Sequence, residues 1–70
     1  MFGLPTGTIY LVDNKGEKHN VMMSDITSED ELKNEVEYLF NKCGYKKDNF
    51  QLAIYVENNK TIYTYKLDLI

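Results

Sequence analysis

Residues 28–44 constrain the fold most, because there the apolar residues recur with the spacing of an α-helix. The stripe falls at i, i+4, i+7, i+8 and i+11 and consists of Leu32, Val36, Leu39, Phe40 and Cys43. Thr27 or Ser28 suits the N-cap, and Ser28 with Glu31 has the spacing of a capping box. Gly44 suits the position just after the helix. The pattern predicts one amphipathic helix.

A β-hairpin is predicted before this helix. Residues 8–13 are rich in β-branched and aromatic residues, and Asp13-Asn14-Lys15-Gly16 predicts a type I turn with a glycine bulge. The chain returns through residues 18–23, and pairing Asp13 with Glu17 sets Leu11 opposite His19 and Ile9 opposite Val21. The expected core face holds Ile9, Leu11, Val21 and Met23, and the other face holds Tyr10, Val12, Asn20 and Met22.

A second hairpin is predicted after the helix. Asn58-Asn59 tolerates positive φ and predicts a two-residue type I′ turn, which sets Glu57 opposite Lys60. An unbroken ladder from that turn pairs Ile54 with Tyr63, Leu52 with Tyr65 and Phe50 with Leu67. The expected core residues are Phe50, Leu52, Ile54 and Val56, whereas Gln51, Ala53, Tyr55, Ile62, Thr64 and Lys66 are expected on the other face.

Two hairpins on either side of one helix predict an α+β domain, ββαββ in order, with the helix across one face of a four-stranded sheet. This layout, with its bulged first turn and capped helix, resembles that of β-grasp domains of the ubiquitin-like and protein G-like kind. The resemblance implies that the first and last strands are adjacent and parallel at the centre. A fully antiparallel sheet is the alternative. We expect residues 1–70 to form a single domain, with 1–6 as an irregular lead-in.

Composition narrows the class of protein. The chain has 70 residues, one cysteine and one histidine, so a disulfide or a zinc site is not expected to support the fold. It shows no signal peptide or membrane-spanning run, and a lone free cysteine favours a reducing compartment, so cytoplasmic location is expected. The abundance of Lys, Asn, Ile and Tyr over Ala and Pro is typical of AT-rich coding, as in low-GC bacteria and their phages.

Catalytic and cofactor chemistry is not indicated by the residues. Cys43 is expected as a small core residue, and His19 as a partly exposed residue on a strand edge. The acidic residues around the helix start lack calcium-loop spacing and match the preference of helix N-termini for acids. We therefore expect no enzyme, no cofactor and no metal site. A net charge of −3 and the absence of arginine argue against nucleic acid as a partner.

The face of the sheet opposite the helix is the predicted interaction surface. Its expected members are Tyr10, Val12, Met22, Tyr55, Ile62 and Thr64, an apolar and aromatic patch flanked by polar groups. The function predicted from this patch is a small non-enzymatic protein-interaction domain, such as a regulator or inhibitor from a phage or mobile element. The alternatives are a homodimer through the same face and an acidic nucleic-acid mimic. In the β-grasp order, residues 18–23 and 50–57 form the two edges and offer a further route, strand addition.

Overall fold

A computed structural model describes residues 6–67 and confirms the ββαββ order of an α+β domain. Its elements are β1 (Gly7–Asp13), β2 (Lys18–Ser24), α1 (Glu29–Lys42), a 3-10 turn (Lys47–Asn49), β3 (Phe50–Glu57) and β4 (Lys60–Lys66). The lead-in expected over residues 1–6 lies, apart from Thr6, outside the described residues. Between residues 6 and 67, no helix is long and apolar enough to cross a membrane.

The sheet is antiparallel throughout, so the β-grasp arrangement is wrong and the alternative is confirmed. The strand order is β2-β1-β3-β4, which places β1 beside β3 and puts β4 at an edge. The expected parallel contact between the first and last strands is therefore absent from the described sheet. β3, expected at an edge, is central, and the two edges are β2 and β4.

Both predicted hairpin turns are confirmed, because local chemistry decides them. Gly16 has φ +90°, and its N–H donates to the carbonyl of Asp13 at 3.0 Å. Asn58 and Asn59 have φ of 51° and 65°, as a type I′ turn requires. Glu57 accordingly pairs with Lys60, as predicted.

The helix begins and ends where its capping residues predict. The Ser28 hydroxyl accepts a hydrogen bond from the N–H of Glu31 at 3.2 Å, and Gly44 follows the helix with φ +85°. The Glu31 carboxylate, however, accepts from the N–H and hydroxyl of Thr27, both at 2.6 Å, so the capping box closes one residue earlier than expected. Cys43 is exposed at the C-cap, which corrects its predicted place in the core.

Three β-bulges decide which side chains face the helix. Val21 is the extra residue of β2, Gln51 that of β3 and Ile62 that of β4. Because side chains alternate along a strand, one extra residue moves every following side chain to the opposite face of the sheet. The bulge at Ile62 pairs Tyr55, not Ile54, with Tyr63. The predicted facing of β3 is therefore wrong from Leu52 to Val56, whereas Phe50, before the Gln51 bulge, lies in the core as predicted. The predicted facing of β1 is right.

The core lies between α1 and one face of the sheet. Strands β1 and β3 contribute Ile9, Leu11, Phe50, Ala53 and Tyr55, and α1 contributes Leu32 and Val36. Phe40, Tyr45, Tyr63 and Tyr65 pack around this cluster, and the Tyr63 hydroxyl donates to the carbonyl of Thr27 at 2.9 Å. Tyr65 also lies on this side because it pairs with Ala53. The opposite face, hereafter the open face, is left without a helix among the described residues.

Candidate binding surface

The open face is built from three cross-strand rows, each with one residue from every strand in the order β2, β1, β3, β4. The rows are Lys18–Val12–Leu52–Lys66, Asn20–Tyr10–Ile54–Thr64 and Met23–Thr8–Val56–Thr61. The two central strands supply nearly all of the apolar side chains, and the edge strands supply mostly polar ones. An apolar strip therefore runs along the middle of the open face; its members are Tyr10, Val12, Leu52, Ile54 and Val56.

The strip is only partly accessible to solvent. Val12 in an end row and Ile54 in the middle row are each 9% exposed, yet neither belongs to the core cluster under the helix. Tyr10, Leu52 and Val56 are half-buried. The flanking residues Lys18, Asn20, Met23, Thr61, Thr64 and Lys66 are all exposed, and Met23 reaches 59%. The strip is therefore shielded at its edges by neighbouring side chains and is not covered by an element of the described chain.

The six residues predicted for this surface do not all lie on it. Tyr10, Val12 and Thr64 do, and Tyr10 and Thr64 share one row with Ile54 between them. Ile62 is the unpaired residue of the β4 bulge and is 43% exposed at the sheet edge.

Met22 and Tyr55 are placed wrongly by the sequence prediction. The Val21 bulge sets Met22 opposite Ile9, where it packs against the core. Tyr55 pairs with Ile9 on the other side and is completely buried. Both side chains therefore lie on the helix side of the sheet and take no part in the open face.

Leu52, Ile54 and Val56 are the members that sequence reasoning missed. The pattern at β3 is ambiguous, because Ala53 and Tyr55 between them are also apolar enough for a core. A central strand that has apolar residues on both faces shows only weak alternation of apolar and polar residues along its sequence. Gly7 is the one sequence feature that could have indicated the facing of β3. A glycine there leaves room for a large ring on the helix side of the sheet, and the Tyr55 ring fills that room.

The electrostatics of the open face differ from those of the whole chain. The chain has eleven acidic and eight basic residues, but the three rows contain two lysines and no carboxylate. Lys18 and Lys66 stand at the two ends of the same row, on opposite edges of the sheet. The Lys18 ammonium lies 5.7 Å from the centre of the Tyr10 ring and makes a cation–π contact with it. The methylene groups of Lys18 therefore lie against the strip.

The sheet edges are protected. Each edge strand carries a bulge, at Val21 in β2 and at Ile62 in β4, and a bulge interrupts the regular row of backbone groups that an incoming strand would need. Lysines stand at the beginning of β2 and at both ends of β4. Strand addition is therefore less favoured than contact through the open face.

A polar cluster at the first turn was not predicted. Oxygen or nitrogen atoms of Asp13, Glu17 and His19 lie within 4.8 Å of one another, beside a pocket of about 400 Å³ that Phe50 also lines. The Asp13 carboxylate accepts from the N–H groups of Lys15 and Glu17, each at 2.9 Å, and lies 2.8 Å from His19 Nε2. The hydrogen bond with His19, followed by that from Glu17, lowers the pKa of Asp13. These contacts account for the cluster as part of the turn.

A second polar group connects Thr6, the first described residue, to Asp25 and Glu57. Thr6 donates from its N–H and its hydroxyl to Asp25 at 2.6 and 2.8 Å, and both bonds lower the pKa of that carboxyl. The Thr6 hydroxyl also lies 3.2 Å from the Glu57 carboxylate, which accepts from the buried Tyr55 hydroxyl at 2.7 Å. These hydrogen bonds join Thr6, Asp25, Glu57 and Tyr55 within the fold, so the group supports the structure.

No protein-family model, no curated protein and no solved structure matches this chain.

Proposed function

We propose that this chain is a small non-enzymatic protein-interaction domain that binds another protein through the open face of its sheet. The observation that carries the proposal is the apolar strip of Tyr10, Val12, Leu52, Ile54 and Val56. No described helix covers this strip, whereas the other face of the sheet is buried under α1. A contiguous apolar strip with a polar rim is the usual composition of a protein interface.

The arrangement of reactive side chains supports a non-enzymatic role. Cys43 lies at the C-cap of α1, whereas His19 lies on edge strand β2 and is hydrogen-bonded to Asp13. A nucleophile and its base need to lie within hydrogen-bond reach, with a third group to orient the base. We place the protein in the cytoplasm because its cysteine is free and exposed. A regulator or inhibitor encoded by a phage or mobile element of a low-GC bacterium fits the small size and the coding bias.

Affinity capture with matched variants tests the proposal. The double variant Met23→Lys and Thr64→Lys adds charge at two exposed open-face positions, and Tyr38→Lys adds it at an exposed position on α1, where Tyr38 is 51% exposed. We expect wild type and Tyr38→Lys to retain the same bound protein from a bacterial lysate and the double variant to lose it. Retention by the double variant with loss by Tyr38→Lys would move the interface to the helix and contradict the proposal.

Light scattering after size exclusion, over a hundredfold range of concentration, addresses the homodimer alternative. We expect a monomer of 8.2 kDa. A stable dimer that the double variant Met23→Lys and Thr64→Lys dissociates would assign the open face to self-association instead of to a different protein.

A further inference from the structure

The apolar strip has the dimensions of one short helix. It occupies two neighbouring strands, and three rows along a strand span about 14 Å at roughly 3.4 Å per residue. That length corresponds to about nine residues of α-helix at about 1.5 Å per residue. The sheet already buries its other face under one amphipathic helix, α1, whose stripe includes Leu32 and Val36.

The two lysines are spaced to flank such a helix. Lys18 and Lys66 end the row that contains Val12 and Leu52, so three strand spacings separate them, or about 14 Å between backbones. An α-helix with its side chains is about 10–12 Å wide and fits between them. Because the three rows contain no carboxylate, neither ammonium has an acidic neighbour among the described residues of these rows. Acidic side chains on both flanks of the helix would complement the two lysines.

We propose that the occupant of the open face is an amphipathic α-helix of another protein, with an apolar stripe on the strip and carboxylates on both flanks near Lys18 and Lys66. This inference rests on the proposed function and names the partner's chemistry. A second copy of the chain does not supply that element from its described residues, because the apolar stripe of α1 is already buried. If two copies packed face to face, the lysines of both open faces would enter the interface, and the rows would supply no carboxylate to pair with them.

Selection from a library of helical peptides tests the inference. The library has about 14 residues per peptide, leucines fixed on one stripe, and flanking positions randomised among Glu, Gln and Lys. The library is selected against three proteins: the full wild-type chain, the double variant Lys18→Glu with Lys66→Glu, and the control Lys33→Glu with Lys42→Glu. The control has the same net charge as the first double variant, and its two substituted lysines are exposed on α1. Urea unfolding verifies that all three proteins are folded.

Peptides selected on wild type and on the α1 control should contain Glu about tenfold more often than Lys at the flanking positions. Peptides selected on Lys18→Glu with Lys66→Glu should show the reverse preference. Amide chemical shifts should change on β1 and β3, and circular dichroism should show that the bound peptides are helical.

Different contrary results would overturn the acidic helix alone or the acidic helix together with the proposed function. Peptides that bind the open face without any flank preference would overturn the acidic helix and leave the proposed function intact. Peptides that bind there in extended form would also overturn the inference alone. Shifts confined to α1, or self-association through the strip that displaces every peptide, would contradict the inference and the proposed function together.

Discussion

The ring of Tyr55 lies directly over the backbone of Gly7, so closely that a Cβ on that glycine would overlap the ring carbons. Tyr55 is completely buried, stacks on Tyr63 with ring centres 6.1 Å apart, and pairs with Ile9 across the sheet. This contact holds β3 in the register that puts Leu52, Ile54 and Val56 on the open face.

Gly7→Ala is expected to destabilise the fold by about 1–3 kcal/mol, because the buried ring has little space into which to move. Urea unfolding measures the loss. Gly44→Ala is the control, since a Cβ there meets nothing within 4 Å and its cost comes from φ +85° alone, about 1 kcal/mol. A Gly7→Ala variant as stable as wild type would contradict the described position of Tyr55.

The hydrogen bond from Tyr55 to Glu57 gives a second prediction. Tyr55→Phe removes the hydroxyl and should cost about 0.5–1.5 kcal/mol, whereas Glu57→Ala leaves the buried hydroxyl without its acceptor and should cost more, about 1–3 kcal/mol. Glu57→Gln retains an acceptor and serves as the control. Urea unfolding of both single variants and the double variant yields the coupling energy, and additive effects would show that no bond exists.

The dependence of stability on pH should reflect Asp13. Its pKa is below the ordinary 3.8 because it accepts hydrogen bonds from His19 and from the N–H of Glu17. A carboxyl whose pKa is lower in the folded state stabilises the fold above 3.8, and that contribution is lost as pH falls through the folded pKa. The melting temperature of Asp13→Asn should therefore fall less than that of wild type in this acid range. Equal acid sensitivity would contradict the described turn.

Cys43 should react rapidly with a thiol reagent in the native protein, because the structure places it exposed at the helix C-cap. The rate of labelling of the folded chain should approach that of the chain unfolded in urea. A rate hundreds of times slower would restore Cys43 to the core, where its helical spacing alone had placed it.

The sequence predicts most reliably what is decided locally. The Asp13–Gly16 and Asn58–Asn59 turns, the Ser28 cap and the apolar stripe of α1 follow from residues within a few positions of one another. The pairing of β1 with β3 joins residues about forty positions apart and depends on packing. The bulges at Val21 and Ile62 carry no local signal, yet each inverts the side chains that follow it. For that reason the sequence places Tyr10, Val12 and Thr64 correctly on the open face. It wrongly adds Met22 and Tyr55 to that face and omits Leu52, Ile54 and Val56.

Site-specific photo-cross-linking tests whether partners bind the open face. A photoreactive phenylalanine derivative replaces Thr64, exposed on the open face, or Tyr38, exposed on α1, in otherwise unchanged chains expressed in cells. Binding through the open face predicts a covalent adduct with another protein from position 64 and none from position 38. An adduct from position 38 with none from position 64 would contradict binding through the open face.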